Sequence, residues 1–156
     1  MIKLKQLLLE NTAPDIFVPR RIEGRVERMI MLYVKNGSKG DLDLSDLNLT
    51  KLPEILKNIS VGRDFFCGTN NLTSLENCPK TVGGSFYCGH NKLTSLEGSP
   101  KSVGGSFYCG FNNLTSLTGA PKFVGGVFSC GFNEIKFTEQ QVRAVCNVKG
   151  DIYGAL

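Results

Sequence analysis

The sequence predicts an α/β solenoid, a coil of short parallel strands with a helical cap at each end. Four cysteines recur every 21 residues, and the residues that flank them recur with the same spacing. A fixed period of about 20 to 50 residues is typical of solenoids, because one unit cannot bury its apolar face alone. Possible cap helices flank the repeats on both sides.

The repeat is clearest in the segments 65–72, 86–93, 107–114 and 128–135. Each contains Phe, a variable residue, Cys, Gly, a second variable residue and Asn, followed two residues later by Leu or Ile. The cysteines in question are Cys67, Cys88, Cys109 and Cys130. Their regular spacing belongs to the repeat rather than to a disulfide framework, so we expect reduced, buried thiols.

Strand geometry assigns a role to each repeated position. Alternate side chains of a strand face opposite ways, so Phe86 and Cys88 are predicted to point into the core. The asparagines are predicted to satisfy backbone groups where the chain leaves each strand. They are Asn70, Asn91, Asn112 and Asn133. Proline and the Gly-Gly pairs are expected to form the tight return turn.

A less regular first unit, residues 42–53, has leucine at positions 42, 44, 47, 49 and 52. The second cysteine unit has Gly83, Phe86, Cys88, Asn91 and Leu93 at successive intervals of three, two, three and two residues. On these residues, the region 41–137 resembles the leucine-rich-repeat family, whose pattern is Leu-x-x-Leu-x-Leu-x-x-Asn-x-Leu. The resemblance implies a right-handed coil with a short parallel sheet. Phe, Cys and Gly replace leucines of that pattern, and Leu47 replaces its asparagine.

The Val-Gly-Gly-x-Phe-x-Cys version of the repeat also resembles small repeat proteins encoded by tailed bacteriophages. That resemblance implies an action on a host protein, either of a defence system or of the host machinery. Because fold alone does not give function, this remains an association.

The chain divides into a basic helical N-terminal cap (1–40), the solenoid (41–137) and a C-terminal helical cap with a tail (138–156). Residues 23–35 are predicted to be a helix that Asn36 and Gly37 end. Its expected buried face consists of Val26, Ile30, Met31 and Val34. At the other end, Thr138 and Gln141 have capping-box spacing. Three residues after it are expected to close the last repeat: Val142, Val145 and Cys146. The tail, 151–156, is expected to add a strand or to fray.

The net charge of +4 lies entirely in residues 1–40, which hold eight Lys/Arg and four Asp/Glu (8 − 4 = +4). This segment is either a solvated cap or a surface for phosphate or an acidic protein. Its candidate contact residues are Arg20, Arg21, Arg25 and Arg28. No apolar run approaches the roughly 20 residues of a membrane span. The N-terminus lacks signal-peptide features, so we expect a cytoplasmic protein, in the host cytoplasm if a phage encodes it.

Side chains that alternate with the buried Phe and Cys are predicted to form a concave outer surface. In it, Phe66, Tyr87 and Tyr108 make an aromatic column that continues to Ser129, with Asp64 beside its start. Three further residues are expected to widen this surface: His90, Phe111 and Phe132. Exposed aromatic residues with polar neighbours are typical of protein-binding sites. Alternatively, the rings form a ladder that only stabilises the strands.

Catalysis and cofactor binding are not predicted. Stacked cysteines lie in a line and cannot surround one metal ion, so no metal site is expected. His90 is the single histidine, and its neighbour Cys88 is predicted to point the opposite way. No nucleotide-binding loop is present.

The function predicted is therefore a non-enzymatic, protein-binding repeat module without a cofactor. One alternative is a virion-associated or self-assembling structural protein, which would form a homo-oligomer. A second is nucleic-acid binding through the basic cap, which is the less favoured reading.

Overall fold

The computed structural model describes residues 23–155. Its helices are α1 (Glu23–Lys35), a 3₁₀ helix (Glu54–Asn58) and α2 (Glu139–Val145). Its strands are β1 (Leu42–Asp43), β2 (Phe65–Phe66), β3 (Thr81–Val82), β4 (Phe86–Tyr87), β5 (Ser102–Val103), β6 (Phe107–Tyr108), β7 (Phe123–Val124), β8 (Phe128–Ser129), β9 (Asn147–Val148) and β10 (Ile152–Tyr153). None of the helices within 23–155 combines the length and apolarity that crossing a bilayer requires.

Two parallel sheets of short strands make up the fold. The first has six strands in the order β1-β2-β4-β6-β8-β10, and the second has four in the order β3-β5-β7-β9. Each strand pairs with its equivalent one coil away, so that Phe86 is in register with Phe65 on one side and Phe107 on the other. The chain therefore has a solenoid-like repeat fold.

The core lies between the two sheets. As predicted, the repeated phenylalanines and cysteines of the first sheet point inward. Phe65, Phe86, Phe107 and Phe128 are fully buried, with neighbouring ring centroids 5.1 to 5.5 Å apart. The second sheet contributes Val82, Val103 and Val124, all buried. Because identical residues stack in register, one continuous apolar column runs through the coils.

The second sheet departs from the sequence expectation, which gave these segments to a return turn. The valine that precedes each Gly-Gly pair ends a strand instead. The first glycine is then required by the close approach of successive coils. A Cβ atom on Gly104 would lie 2.2 Å from the carbonyl oxygen of Gly83. Any larger residue would push the coils apart at this point.

The asparagines connect each coil to the one before it, and here the prediction is confirmed. The Asn112 Nδ2 atom donates to the carbonyl oxygens of Cys88 at 3.1 Å and Cys109 at 3.2 Å. Its Oδ1 atom accepts the backbone N–H of Leu93 at 3.1 Å. Asn70 and Asn91 bond in the equivalent way and, like Asn112, are buried.

Helix α1 has the bounds that the sequence predicts, but its buried face differs. Val26 and Ile30 are buried, whereas Met31 and Val34 are only half-buried, and Tyr33 is buried in addition. The Tyr33 hydroxyl donates to the carbonyl oxygen of Ser38 at 2.7 Å and accepts the N–H of Gly62 at 2.9 Å. A tyrosine can be buried here because its hydroxyl has these partners.

Helix α2 begins with the predicted capping box between Thr138 and Gln141. Val142 and Cys146 are buried, but Val145 is 39% exposed, so its predicted part in closing the last repeat is wrong. A helix of seven residues can turn only one narrow face to the core. The tail adds strand β10, which confirms the first of the two expectations for it.

Beyond residue 137, β9 and β10 continue both sheets. The Arg143 guanidinium donates to the carbonyl oxygens of Val148 at 2.8 Å and Gly150 at 3.4 Å. These carbonyls belong to the last coil, so Arg143 covers polar backbone that an edge strand would otherwise offer to another chain.

Replacing Asn112 by Ala tests the asparagine bonds. Loss of the amide leaves the buried Leu93 N–H without a partner, at about 1–3 kcal/mol. The Cys88 carbonyl loses one of its two amide donors and keeps Asn91 Nδ2 at 3.1 Å. We expect the free energy of unfolding in urea to fall by about 2 kcal/mol. The neighbouring exposed Asn113→Ala is the control and should change it by less than about 0.5 kcal/mol. Equal losses in both variants would refute this role.

Candidate functional site

The outer face of the six-stranded sheet carries one side chain from each strand in a single row. Following the register of the pairs, the row consists of Asp43, Phe66, Tyr87, Tyr108, Ser129 and Tyr153. We call its three consecutive rings, Phe66, Tyr87 and Tyr108, the strand ladder. The Phe66 and Tyr87 centroids are 4.5 Å apart, and those of Tyr87 and Tyr108 are 4.7 Å apart, with near-parallel planes. The rings therefore stack at the spacing of the strands.

A second row of rings lies where the chain turns off the strands. We call His90, Phe111 and Phe132 the turn ladder. The His90 and Phe111 centroids are 4.3 Å apart and those of Phe111 and Phe132 are 4.4 Å apart, again nearly parallel. Phe111 is 48% exposed and Phe132 is 77% exposed.

The backbone of the turn ladder is left-handed. The φ angles of His90, Phe111 and Phe132 are 55°, 54° and 56°, and Thr69, at the same position one coil earlier, has 52°. This region costs an ordinary L-residue about 1–2 kcal/mol, and glycine and asparagine tolerate it best. Phenylalanine therefore gains no backbone advantage in this turn, and the gain of about 0.5–1.5 kcal/mol from each stacked ring pair is comparable with its backbone cost.

A column of glycines separates the two ladders and forms the floor of a groove. A Cβ atom on Gly110 would lie 2.8 Å from the carbonyl oxygen of Gly131, so the floor admits no side chain. The groove has a volume of about 530 Å³ and is lined on both sides by the two ladders. It ends near Ser45 on one side and near Tyr153 on the other. Its walls are mostly apolar, and His90 is the one titratable imidazole among them.

Acidic residues border the groove where the solenoid begins. Asp43 opens the row of the strand ladder. Asp46 opens the row of the turn ladder, since its N–H donates to Gly68 just as that of Thr69 donates to Gly89. Both carboxylates are exposed, and neither is ion-paired with another residue of 23–155. This end of the groove is therefore negative. At the other end, the Tyr153 hydroxyl donates to the exposed Asp151 carboxylate at 3.4 Å, so that end also has a carboxylate.

The remaining predicted contact residues lie apart from the groove wall. Asp64 is half-buried, and its Oδ1 atom accepts the N–H of Ser85 at 2.7 Å, which gives it a part in joining two coils. Arg25 and Arg28 lie exposed on α1, where the Arg28 Nε atom donates to the carbonyl oxygen of Gly24. Arg20 and Arg21 lie outside the described residues.

The cysteine column is shielded rather than reactive. All six cysteines are free and buried. Desolvation raises the pKa of Cys67, Cys88 and Cys109 well above that of an exposed thiol. Burial also raises the pKa of Cys146, to about 11. Among residues 23–155, no group of three or more His, Cys, Asp or Glu side chains could hold a metal ion.

Two carboxylates that border the groove, Asp43 and Asp46, and one ring that lines it, Tyr153, were missed in the sequence. The first two lie in the irregular first unit, where the alignment on cysteine gives no guide. Tyr153 follows the inserted helix α2. A signal for it does exist, because Val148, Gly150 and Ile152 repeat the spacing of Val124, Gly126 and Phe128.

Comparisons with protein-family models, with curated proteins and with solved structures find no match to this chain. The site is therefore interpreted from its own geometry.

The thiols predict how stability depends on pH. A folded-state pKa above the unfolded one means that, above about pH 8.5, the unfolded chain loses protons that the folded chain keeps. Stability is then complete below that pH and falls as pH rises, by about 1.4 kcal/mol per pH unit for each such thiol. Urea titrations between about pH 8 and 10 should show this decline, and Cys88→Ala should reduce its slope by one thiol. An unchanged slope in Cys88→Ala would contradict it.

The turn ladder predicts an asymmetry between two phenylalanines of one repeat. Phe111→Asn removes the middle ring of the turn ladder, and with it two stacking contacts, but asparagine tolerates the left-handed backbone better. These effects oppose each other, so the free energy of unfolding should stay within about 1 kcal/mol of wild type. Phe107→Asn, which places an amide in the core, should lose about 4 kcal/mol or more. Urea denaturation measures both. Similar losses would mean that the turn ladder is part of the scaffold.

Proposed function

We propose that this protein is a non-enzymatic binding module of the leucine-rich-repeat type, and that the groove between its two ladders engages a partner protein. The right-handed coil of that family is part of the proposal. It is supported by the leucine spacing of residues 42–52 and by the repeated asparagines, whose bonds suit a coil of this kind.

The observation that carries the proposal is the turn ladder. Phe111 and Phe132 are large, exposed and held in a backbone conformation that disfavours them. The same turn accepts Thr69, so the fold has no need of a phenylalanine there. Strained residues and exposed aromatic patches both concentrate at functional sites. Stacking does little more than offset the backbone strain, so contact with another molecule is the better explanation for large exposed rings at these positions.

The geometry favours a protein over a nucleic acid or a sugar as partner. Within each ladder the middle ring, Tyr87 or Phe111, is covered on both faces, and only the rings at the ladder ends keep one open face. Nucleobases bind by stacking on open ring faces and need positive charge for the phosphates. The charged groups that border this groove where the solenoid begins, Asp43 and Asp46, are carboxylates instead. An apolar trough with aromatic walls suits a protein segment.

The likeness of the repeat to phage-encoded proteins extends the proposal to the partner's origin. Under it, the partner is a protein of the bacterial host cytoplasm. Self-assembly into a virion structure and nucleic-acid binding through Arg25 and Arg28 are the competing functions.

The test is an affinity capture from nuclease-treated bacterial lysate. The bait is the wild type, a Tyr108→Ser/Phe111→Asn variant, or a Thr73→Ala control whose substitution lies on an exposed loop. We expect at least one protein to be captured by wild type and control but reduced about tenfold or more by the ladder variant. Circular dichroism must first show that all three are folded. Capture that is equal in the three baits would overturn the proposal. Sedimentation of wild type alone, and a salt titration with DNA and RNA, separate the two competing functions.

A further inference from the structure

The strand ladder is interrupted at one place. Tyr108 is in register with Ser129, and Ser129 is in register with Tyr153. Adjacent strands lie about 4.8 Å apart, so the two tyrosine positions are separated by about 9.6 Å with no ring between them. Tyr153 lines the groove and is 56% exposed.

The gap matches the thickness of one aromatic ring. A planar group placed above Ser129 would lie about 4.8 Å from each tyrosine position. Neighbouring rings within the strand ladder are 4.5 and 4.7 Å apart. Gly131 forms the floor beside the gap, and Phe132 lies across the groove from it. A ring seated there would contact aromatic groups on three sides.

The fold gives no reason for a serine at this position. Tyr87 and Tyr108 occupy the equivalent positions of the two preceding coils on the same outer face. Ser129 is half-buried and belongs to a strand of the same length and register as theirs. A tyrosine at 129 would complete the ladder, and the chain lacks it.

We propose that the gap above Ser129 is a receptor site for an aromatic side chain of an extended partner segment, whose basic residue lies at the Asp43 and Asp46 end of the groove. This inference rests on the proposed function and names the chemistry of the partner. The two exposed carboxylates supply the charge complementarity, whereas the Asp151 carboxylate at the other end accepts the Tyr153 hydroxyl. The glycine floor between the two ladders leaves space for an extended chain that runs along the solenoid axis.

The groove also sets the spacing of the two partner residues. From Ser129 back to Asp43 the row crosses four strand spacings, or about 19 Å. An extended chain rises about 3.3 Å per residue. The aromatic and basic residues of the partner should therefore be about six positions apart. Small or apolar side chains suit the intervening positions.

Synthetic peptides test the site directly. The probes are capped peptides with Trp and Arg about six positions apart in an Ala/Pro background, made in both orders. Because the protein has no tryptophan, fluorescence of the probe reports on the peptide alone. We expect one order to bind saturably with a blue-shifted emission. Replacing its Trp by Ala, or its Arg by Glu, should weaken binding about tenfold or more.

Substitutions in the full-length protein provide the matched controls. Ser129→Tyr fills the gap and should abolish peptide binding while leaving the thermal midpoint equal or higher. Ser129→Ala keeps the gap open and should bind within about twofold of wild type. Asp43→Asn/Asp46→Asn should weaken binding of the Arg peptide but not of its Glu version.

The outcomes separate this inference from the function on which it rests. Equal binding to wild type and Ser129→Tyr, or no binding of either peptide, overturns the inference. If Ser129→Tyr still captures the partner that the ladder variant loses, the proposed function stands and the receptor site does not. A dimer of the wild type that Ser129→Tyr converts to monomer would identify a second copy as the occupant, which also overturns it.

Discussion

The asparagine bonds between successive coils are the interaction on which the rest of the structure depends. Each amide donates to one carbonyl of its own coil and to one carbonyl of the preceding coil. It also accepts a backbone N–H of the preceding coil. These backbone groups lie in the interior, where water cannot replace the amide. Because the same bonds recur at Asn70, Asn91, Asn112 and Asn133, they fix the point at which the chain leaves each of these four strands. The register of the Phe and Cys columns, and the packing between the two sheets, follow from that fixed point.

The same bonds separate the parts of the repeat that serve the fold from the parts free to vary. Between the buried cysteine and the buried asparagine, the chain has room only for glycine and one left-handed residue. The glycine is set by the contact with the next coil. The left-handed residue is exposed and lies outside the core. The position therefore accepts Thr69 in one coil and Phe111 in another. The scaffold thus presents a row of positions whose identity has little influence on its stability.

The sequence was a good guide to the features that repeat. The Phe and Cys columns, the asparagine role and the bounds of α1 all follow from spacing, because spacing reports directly which side chains share an environment. It was a poor guide to the second sheet, because strands such as Ser102–Val103 lie between proline and a Gly-Gly pair, which are typical turn residues. The ring gap at Ser129 was missed as well, since it depends on Tyr153 returning to the sheet after an inserted helix. A tyrosine outside the period becomes part of the row only through tertiary pairing.

The in-register stacking has a consequence for the length of the groove. Every added unit of 21 residues would extend both ladders and the floor by one strand spacing, about 4.8 Å, without altering any existing contact. If the groove binds an extended segment, as proposed, the gain or loss of one unit would lengthen or shorten that segment by between one and two residues. The length of the groove would then change in steps of one coil, separately from the chemistry of its walls.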